Sequence, residues 1–439
     1  MDAALDAVLG WLRDWAGQVD WVAFATIPVF TGVVGFLINW SGLWMLFSPV
    51  RFHGVTVPGM RQLSRVLPRK VQEVPGILQG GIGWQGIVPA RAAKMGSIAV
   101  DKAIAKLGTP QEFFEQLEPE KMAEHIVALF EPQIPSIVDR TMRREQPDLW
   151  RGIPPRAKQA IYDRVQAQLP DIVAQITDEI GQYIDQLLDP KLMVIDHFAA
   201  NPALVNRIFR DIGRRELRLM VNFGFLFGFL LGIPVAIVDH FARTWWLLPI
   251  LGVIVGWMTN LLGMYVIFEP VEPRQVGPFR LHGLFLRRQE EVAEVYARII
   301  ADDVVTLERI GDFLLHGPRG DRTRQMLEEA MGPAIDRAVG AVRPAVRVAI
   351  GPEHYENIRE SFAQETASHT LTGFRDPTFS RQQSERMRTL IAERTKEMPY
   401  QDFVEMLRSA IKEDEWMLYL HGAVMGLGGG IIHLLLFGT

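Results

Sequence analysis

Two apolar stretches of this chain carry the same pattern, Gly-x-x-x-Asn-x-x-Gly-x-x-x-x-Phe-x-Pro-Val. The identical positions are Gly35, Asn39, Gly42, Phe47, Pro49 and Val50 in the first copy and Gly256, Asn260, Gly263, Phe268, Pro270 and Val271 in the second. Six identities in one register indicate an internal duplication. Each copy also places an asparagine amide inside a long stretch without charged residues. The fold must therefore bury two such segments inside the protein or place them in a membrane.

Four stretches contain no Asp, Glu, Lys or Arg, and each is long enough to cross a membrane. A hydrocarbon core of about 30 Å requires about 20 apolar residues in a helix. The stretches predict transmembrane helices at 21–50, 219–238, 244–268 and 416–437. The expected fold class is therefore an all-α polytopic membrane protein. The chain has no cysteine, which excludes disulfides and thiol-based sites.

The distribution of Arg and Lys predicts the orientation of the chain. Bases cluster after the first stretch and before the second, at Arg51, Arg61, Arg65, Arg69, Lys70, Arg207, Arg210, Arg214, Arg215 and Arg218. One arginine lies in the connection 239–243 and one in segment 1–20. Because cytoplasmic loops are enriched in Arg and Lys, we expect 51–218 and 269–415 inside the cell. The turn 239–243 and both termini are then outside.

The second and fourth stretches share a stripe of glycines at a spacing of four. These glycines are Gly224, Gly228 and Gly232 in one helix and Gly422, Gly426 and Gly430 in the other. Small residues at this spacing let helix backbones pack closely in lipid, and we expect the same role for Gly35, Gly42, Gly256 and Gly263. Each half is thus an entering helix, an inner region and a returning helix. Because both halves start outside, the two repeats are expected to be parallel.

Apolar residues recur at helical spacing in segment 1–20 and in both inner regions. In 1–20 they predict a short amphipathic helix on the outer interface. Long apolar stripes over 161–188 and 326–346 predict a large helical, coiled-coil-like cytoplasmic region. We expect Pro170 to kink the first of these helices and the dipeptide 189–190 to end it. The stripes could pair with each other, or bind acyl chains or partner helices.

Segments 35–49 and 256–270, with the following segments 85–91 and 282–288, resemble the signature of the bacterial membrane family called domain of unknown function 445. The resemblance covers most of the chain. Ile38 departs from the threonine that the second copy keeps at Thr259, and Leu286 stands where Pro89 fits the pattern. The resemblance implies a bacterial cytoplasmic-membrane protein, and the family offers no accepted activity to carry over to this chain.

Asn39 and Asn260 have two interpretations. A buried amide in hydrocarbon must be hydrogen-bonded, so each side chain either links two helices or lines a polar path at the repeat axis. The spans contain no charged partner for them, which argues against an ion-coupled transporter. His421 and His433 lie about three turns apart on one helix and cannot share a metal. They are either packed neutral histidines or part of a proton relay.

Residues 81–86 satisfy Gly-x-Gly-x-x-Gly, but no strand is predicted before them and no helix at the last glycine. We therefore expect a tight bend there rather than a nucleotide site. Phosphate loops, zinc-protease motifs and serine-hydrolase motifs are missing from the sequence. No cofactor or metal is predicted, and the net charge of −5 gives no argument for nucleic acid.

Two basic clusters could contact anionic lipid headgroups, which attract cytoplasmic bases. They are Arg61, Arg65, Arg69 and Lys70 after the first span, and Arg214, Arg215 and Arg218 before the second. Plain positive-inside anchoring would give the same clusters. The function expected from these features is a non-enzymatic scaffold or lipid-interacting envelope protein, with membrane lipids, further copies of the chain and helical proteins as partners. The alternative is a channel or transporter assembled around the repeat axis.

Overall fold

The fold was analysed in a computed structural model of the chain. It describes residues 21–60, 62, 66–72, 74–78, 80–242, 244–340, 347–348, 350–374 and 376–437. The amphipathic helix expected over 1–20 lies outside these residues, as do Arg61 and Arg65. The described part of the chain is predominantly helical, as the sequence predicted.

The elements follow one another along the chain with short connections. In the first half the helices are Trp21–Phe47, Arg69–Gln72, Pro75–Leu78, Ile87–Ala90, Ala92–Ala99, Val100–Ile104 (π), Ala105–Leu107, Pro110–Gln116, Pro119–Phe130, Glu131–Gln133 (3-10), Ile134–Glu145, Pro147–Gly152, Pro155–Leu187, Pro190–Ala200 and Pro202–Ala242. In the second half they are Leu247–Phe268, Leu286–Arg288 (3-10), Gln289–Ile299, Ile300–Val304 (π), Leu307–His316, Gly320–Val339, Pro352–Phe374, Pro377–Glu397, Tyr400–Lys412 and Glu415–Phe437. The strands are β1 His53–Thr56, β2 Gly81–Trp84, β3 Arg274–Val276 and β4 Phe279–Leu281.

Four of these helices are long and apolar enough to cross a membrane. We call them span 1 (Trp21–Phe47), span 2 (Pro202–Ala242), span 3 (Leu247–Phe268) and span 4 (Glu415–Phe437). They overlap the four stretches from which transmembrane helices were predicted, although span 1 ends three residues before the predicted 21–50 does and span 3 begins three residues after the start of the predicted 244–268. Many of their large apolar side chains are exposed to the surroundings, as is typical of helices that face lipid.

Span 2 is much longer than the apolar stretch that predicted it. The stretch begins at residue 219, whereas the helix begins at Pro202 and runs for 41 residues, about 60 Å at 1.5 Å per residue. The helix ends at Ala242, so four of the five residues expected in the turn 239–243 are helical, and span 3 begins at Leu247. The reason for the early start is a buried face that continues through Val205, Ile208 and Ile212. The arginines of the second basic cluster therefore lie on the same continuous helix as the membrane stretch.

Short antiparallel hairpins follow spans 1 and 3. Strand β1 pairs with β2, with His53 opposite Trp84, and β3 pairs with β4. The expectation of a tight bend in the Gly-x-Gly-x-x-Gly segment was wrong, because Gly81–Trp84 is extended and belongs to this ladder. Side chains at Gly81 and Gly83 would collide with the backbone of β1, which explains why small residues occupy the strand.

The chain divides into two compact units. The first consists of Met1–Lys102, Phe198–Val292 and Met398–Thr439, and it contains the four spans and both hairpins. The second consists of Ala103–His197 and Ala293–Glu397, and its described residues form helices without strands. Both sequence halves therefore contribute to both units.

The second unit is organised around the 33-residue helix Pro155–Leu187. It packs against Pro119–Phe130 from the first half and Gly320–Val339 from the second. Its buried positions include Leu169, Ile172, Val173, Ile184 and Leu187, which belong to the apolar stripe identified in the sequence. The helix continues through Pro170 and ends before the dipeptide at 189–190.

Candidate functional site

Asn39 and Asn260 make the same contact in the two halves of the chain. The Nδ2 of Asn39 donates to the carbonyl oxygen of Met220 in span 2 at 2.6 Å. The Nδ2 of Asn260 donates to the carbonyl oxygen of Leu418 in span 4 at 2.5 Å. Both side chains are at most 1% exposed. The amide of Asn39 thus links spans 1 and 2, and the amide of Asn260 links spans 3 and 4.

The glycine stripes lie beside these amides. A Cβ at Gly224 would overlap the carbonyl oxygen of Gly35, and a Cβ at Gly35 would overlap that of Gly224. Gly256 and Gly422 have the same reciprocal relationship in spans 3 and 4. The remaining stripe glycines continue these contacts, with Gly228 and Gly232 against Thr31, Gly426 against Gly252 and Gly430 against Leu248. The backbones in both helix pairs are therefore closer than any side chain would allow.

Gly42 and Gly263 have a different environment. The Cβ position of Gly42 faces Leu418 at 3.5 Å, and that of Gly263 faces Met220 at 3.4 Å. Each of these glycines therefore meets the returning helix of the other half. The Oδ1 atoms of Asn39 and Asn260 are buried in the same region and accept no hydrogen bond from the described residues.

The chain turns back sharply after spans 1 and 3, again with the same contacts. The amide of Gly86 donates to the carbonyl of Pro49 at 2.9 Å, and that of Gly283 donates to Pro270 at 3.0 Å. A side chain at either glycine would collide with the end of the preceding span. The neighbouring Gln85 and His282 bond to the carbonyls of Val50 and Val271 at 2.8 and 3.1 Å, respectively. The similarity of 85–91 and 282–288 therefore has a structural cause.

Two ion pairs join the halves reciprocally, with their carboxylates just before the apolar stretches 219–238 and 416–437. Arg91 from the first half binds Asp414, and both side chains are 3% exposed. Arg288 from the second half binds Glu216 at 2.5 Å, where the carboxylate is 1% exposed. Arg91 and Arg288 are equivalent in the repeat, as are Glu216 and Asp414, each eight residues before its first stripe glycine. That common offset was the sequence signal for these pairs, which the sequence-based prediction missed.

The acidic residues that begin span 4 are all paired with bases. Lys94 binds Glu413 at 2.5 Å, and Arg408 binds Glu415 at 2.8 Å. Together with the Arg91–Asp414 pair, these contacts compensate three adjacent carboxylates at the end of an apolar helix. Their negative charge is therefore no obstacle to placing this helix end at a membrane surface.

The structure describes the side chains of the second basic cluster but not those of the first. Arg214, Arg215 and Arg218 are exposed on the N-terminal half of span 2. For Arg69 and Lys70 the structure describes the backbone alone, in the helix Arg69–Gln72. Arg207 and Arg210, which the sequence linked only to orientation, share a groove with Arg214 and Arg218.

The two histidines of span 4 have separate surroundings. His421 lies 3.3 Å from the hydroxyl of Ser41 in span 1. His433 is 4% exposed and packs between Phe30 and Phe437, with ring centroids 5.1 and 4.8 Å away. The structure does not bring the two imidazoles together, and His433 has the apolar contacts of a packing residue.

Outside the spans, burial lowers the pKa of two histidines, His197 and His282. His197 donates to the carbonyl of Asp303 at 3.1 Å, and burial, assisted by the charge of Arg309, lowers its pKa below 6.5. Burial also lowers the pKa of His282. In the second unit, burial raises the pKa of the Asp302 carboxyl. Across the described segments no group of three or more His, Asp or Glu side chains could hold a metal.

The second unit encloses an apolar cavity of about 120 Å³. Aliphatic and aromatic side chains from both halves line it, among them Phe114, Leu169, Leu314 and Met331, with Thr177 as one of few polar residues. An apolar cavity of about 150 Å³ in another protein stays dry and binds benzene. This cavity is therefore suited to an apolar group and not to a charged one.

Comparison with known proteins adds no relative of established activity. No protein-family model matches the chain, and no curated protein matches it.

Proposed function

We propose that this chain is an integral protein of the bacterial cytoplasmic membrane, similar to the family called domain of unknown function 445, with a scaffold or lipid-interacting role in the envelope. It consists of two parallel two-helix repeats, and its termini and the connection between spans 2 and 3 are outside the cell. Regions 51–218 and 269–415 are inside and form its coiled-coil-like helical part. The role is non-enzymatic.

This proposal is supported mainly by the hydrogen bonds that Asn39 and Asn260 donate. In a transport path, polar side chains in the membrane would be directed towards an aqueous route. Here both amides donate to backbone carbonyls of the neighbouring helix, and the glycines beside them leave no space between the backbones. The spans are thereby suited to a fixed membrane core.

The apolar cavity supports the lipid-interacting form of the proposal. Its lining is almost free of polar atoms, so an acyl segment or another apolar group would be its natural occupant. Native mass spectrometry of the gently solubilised protein tests this. A defined oligomer that retains one lipid class is the expected result. An oligomer of fixed stoichiometry without lipid would exclude lipid handling and leave the scaffold role.

The orientation is tested by reporter fusions. A reporter that is active only outside the cytoplasmic membrane should be active when fused at Thr439 and silent when fused near Pro154. The opposite pattern would refute the proposed topology, because it would place the helical regions outside.

A channel or transporter remains the second candidate, favoured by one observation. The Oδ1 atoms of Asn39 and Asn260 are buried and find no donor in the described segments, so they could face a permeating solute. If flux through reconstituted protein is lost in Asn39→Leu/Asn260→Leu while folding is retained, this candidate replaces the scaffold. Unchanged flux would eliminate it.

A further inference from the structure

A groove of about 1070 Å³ opens between the end of span 1 and the N-terminal half of span 2. One wall is aromatic, with Phe36, Trp40 and Trp44 one helical turn apart and between 37% and 56% exposed. The other wall is basic and lies on a single face of span 2. Its arginines, at steps of three and four residues, are Arg207, Arg210, Arg214 and Arg218.

In the second half, the residue equivalent to Arg210 is already neutralised by other residues of the chain. This residue is Arg408, which aligns with Arg210 when the glycine stripes of the two halves are aligned. Arg408 binds Glu415 at 2.8 Å, approaches Glu269 at 3.6 Å and lies 5.6 Å from the ring centroid of Phe268. Two carboxylates and an aromatic face therefore already satisfy this guanidinium.

The first half lacks both of these carboxylates. Ser48 stands where the second half has Glu269, and Leu217 stands where it has Glu415. Ser48 and Leu217 both line the groove. Within the described residues, Arg210, Arg214 and Arg218 form no ion pair, and Asp211 is the acidic residue of the lining. Among the described residues, Arg210, Arg214 and Arg218 thus lack the carboxylate contacts that Arg408 makes, and they lie in a groove with exposed tryptophans.

We propose that this groove binds one anionic phospholipid. Its phosphate lies among Arg210, Arg214 and Arg218, and an acyl chain lies along Phe36 and Trp40. Guanidinium groups match phosphate oxygens in geometry and charge, and tryptophan favours the level of lipid headgroups. The proposal rests on the proposed function in one respect, that spans 1 and 2 lie in a lipid bilayer.

The test is competition between two lipids for the purified full-length protein. The protein is equilibrated with equal amounts of phosphatidylglycerol and phosphatidylcholine, and the retained lipids are counted by native mass spectrometry. Wild type should retain one phosphatidylglycerol in preference to phosphatidylcholine. In Arg210→Gln/Arg214→Gln/Arg218→Gln this preference should fall at least tenfold, since each base near an anionic lipid is worth about a fivefold factor.

A matched control removes the same charge elsewhere. Arg274→Gln/Arg280→Gln/Lys412→Gln neutralises three exposed bases that do not line the groove. This variant should keep the wild-type preference. An equal loss in the control and in the groove variant would overturn the proposal, because binding would then follow total charge rather than the groove.

A second variant leaves every arginine in place. Ser48→Glu supplies the carboxylate that the second half has at Glu269, and it should lower the preference for phosphatidylglycerol by occupying Arg210. Unchanged preference in both Ser48→Glu and the arginine variant would refute the groove. The fusion reporters at Thr439 and near Pro154 separate this failure from failure of the proposed function, because the membrane topology would then be intact.

Discussion

Arg91 and Asp414 form a buried ion pair whose partners come from opposite halves of the sequence. A charge in such a position is tolerated because its partner is present, and removing one partner leaves the other buried and uncompensated. The neighbouring Lys94–Glu413 pair is 36% and 62% exposed, so water already solvates its charges. The bases of the two pairs are only three residues apart in sequence, and the pairs should nevertheless respond differently to substitution.

Replacing Arg91 by methionine should destabilise the protein by about 3–5 kcal/mol. The double change Arg91→Met/Asp414→Leu should recover more than half of this loss, because no charge is then left buried. Lys94→Met, the control, should cost less than about 1 kcal/mol. The measurement is thermal unfolding in detergent. If the double variant were as unstable as Arg91→Met alone, the loss of stability would come from the lost contacts of the pair rather than from an uncompensated buried charge.

His197 should make the protein less stable as the pH falls. Its pKa is lowered below 6.5 in the folded state by burial, so below that pH the unfolded chain binds a proton that the folded chain does not. The free energy of unfolding then decreases with decreasing pH, by at most about 1.4 kcal/mol per pH unit. Melting temperatures at pH 7.5 and 5.5 should differ more in wild type than in His197→Gln, which cannot titrate. Equal differences would exclude His197 as a source.

Span 4 shows at the level of one helix why glycine is required at particular positions only. The Cβ position of Gly426 overlaps the backbone of Gly252, whereas that of Gly428 has no neighbour within 4 Å among the described residues. Both glycines lie in the same apolar helix, so they differ in packing rather than in helix propensity. The stripe is therefore the part of the helix that positions spans 3 and 4.

Gly426→Ala should separate spans 3 and 4 and lower the melting temperature in detergent by several degrees. Gly428→Ala should leave it unchanged or raise it slightly, because alanine favours the helical conformation by about 1 kcal/mol. Each variant is compared with wild type in the same detergent. If Gly428→Ala were as damaging as Gly426→Ala, close backbone contact would not be the reason for the stripe.

The sequence predicted the elements whose cause is local. Charge-free length identified the four spans, and the spacing of Gly224, Gly228 and Gly232 marked the face that packs. The hairpins and the early start of span 2 were missed, because a four-residue strand has too few alternating positions to be recognised and a helix can continue wherever one face stays buried. The ion pairs were missed because their partners are far apart in sequence.

At the scale of the whole molecule, the two halves of the sequence are interdependent. Each compact unit takes segments from both halves. In the second unit, for example, Pro155–Leu187 packs against Gly320–Val339. Neither half alone contains a complete unit, although the connection between them is short, since span 2 ends at Ala242 and span 3 begins at Leu247.

Two separately expressed halves, cut between span 2 and span 3, should therefore assemble. Residues 1–243 carrying an affinity tag should copurify with residues 244–439 when both are expressed together. Each half expressed alone should be degraded or aggregate, because its buried faces lack their partners. Stable accumulation of one half alone, with native helicity, would contradict this interdependence.

The reciprocal ion pairs have a consequence for ancestry. Arg91 of the first half meets Asp414 of the second, and Arg288 of the second meets Glu216 of the first. Such exchange of equivalent contacts is the pattern of an isologous interface between identical subunits. A half-length ancestor that dimerised in this way would have formed both pairs from one arginine and one carboxylate per subunit, so that a single substitution would have broken both contacts. In the present chain each pair can be substituted by itself.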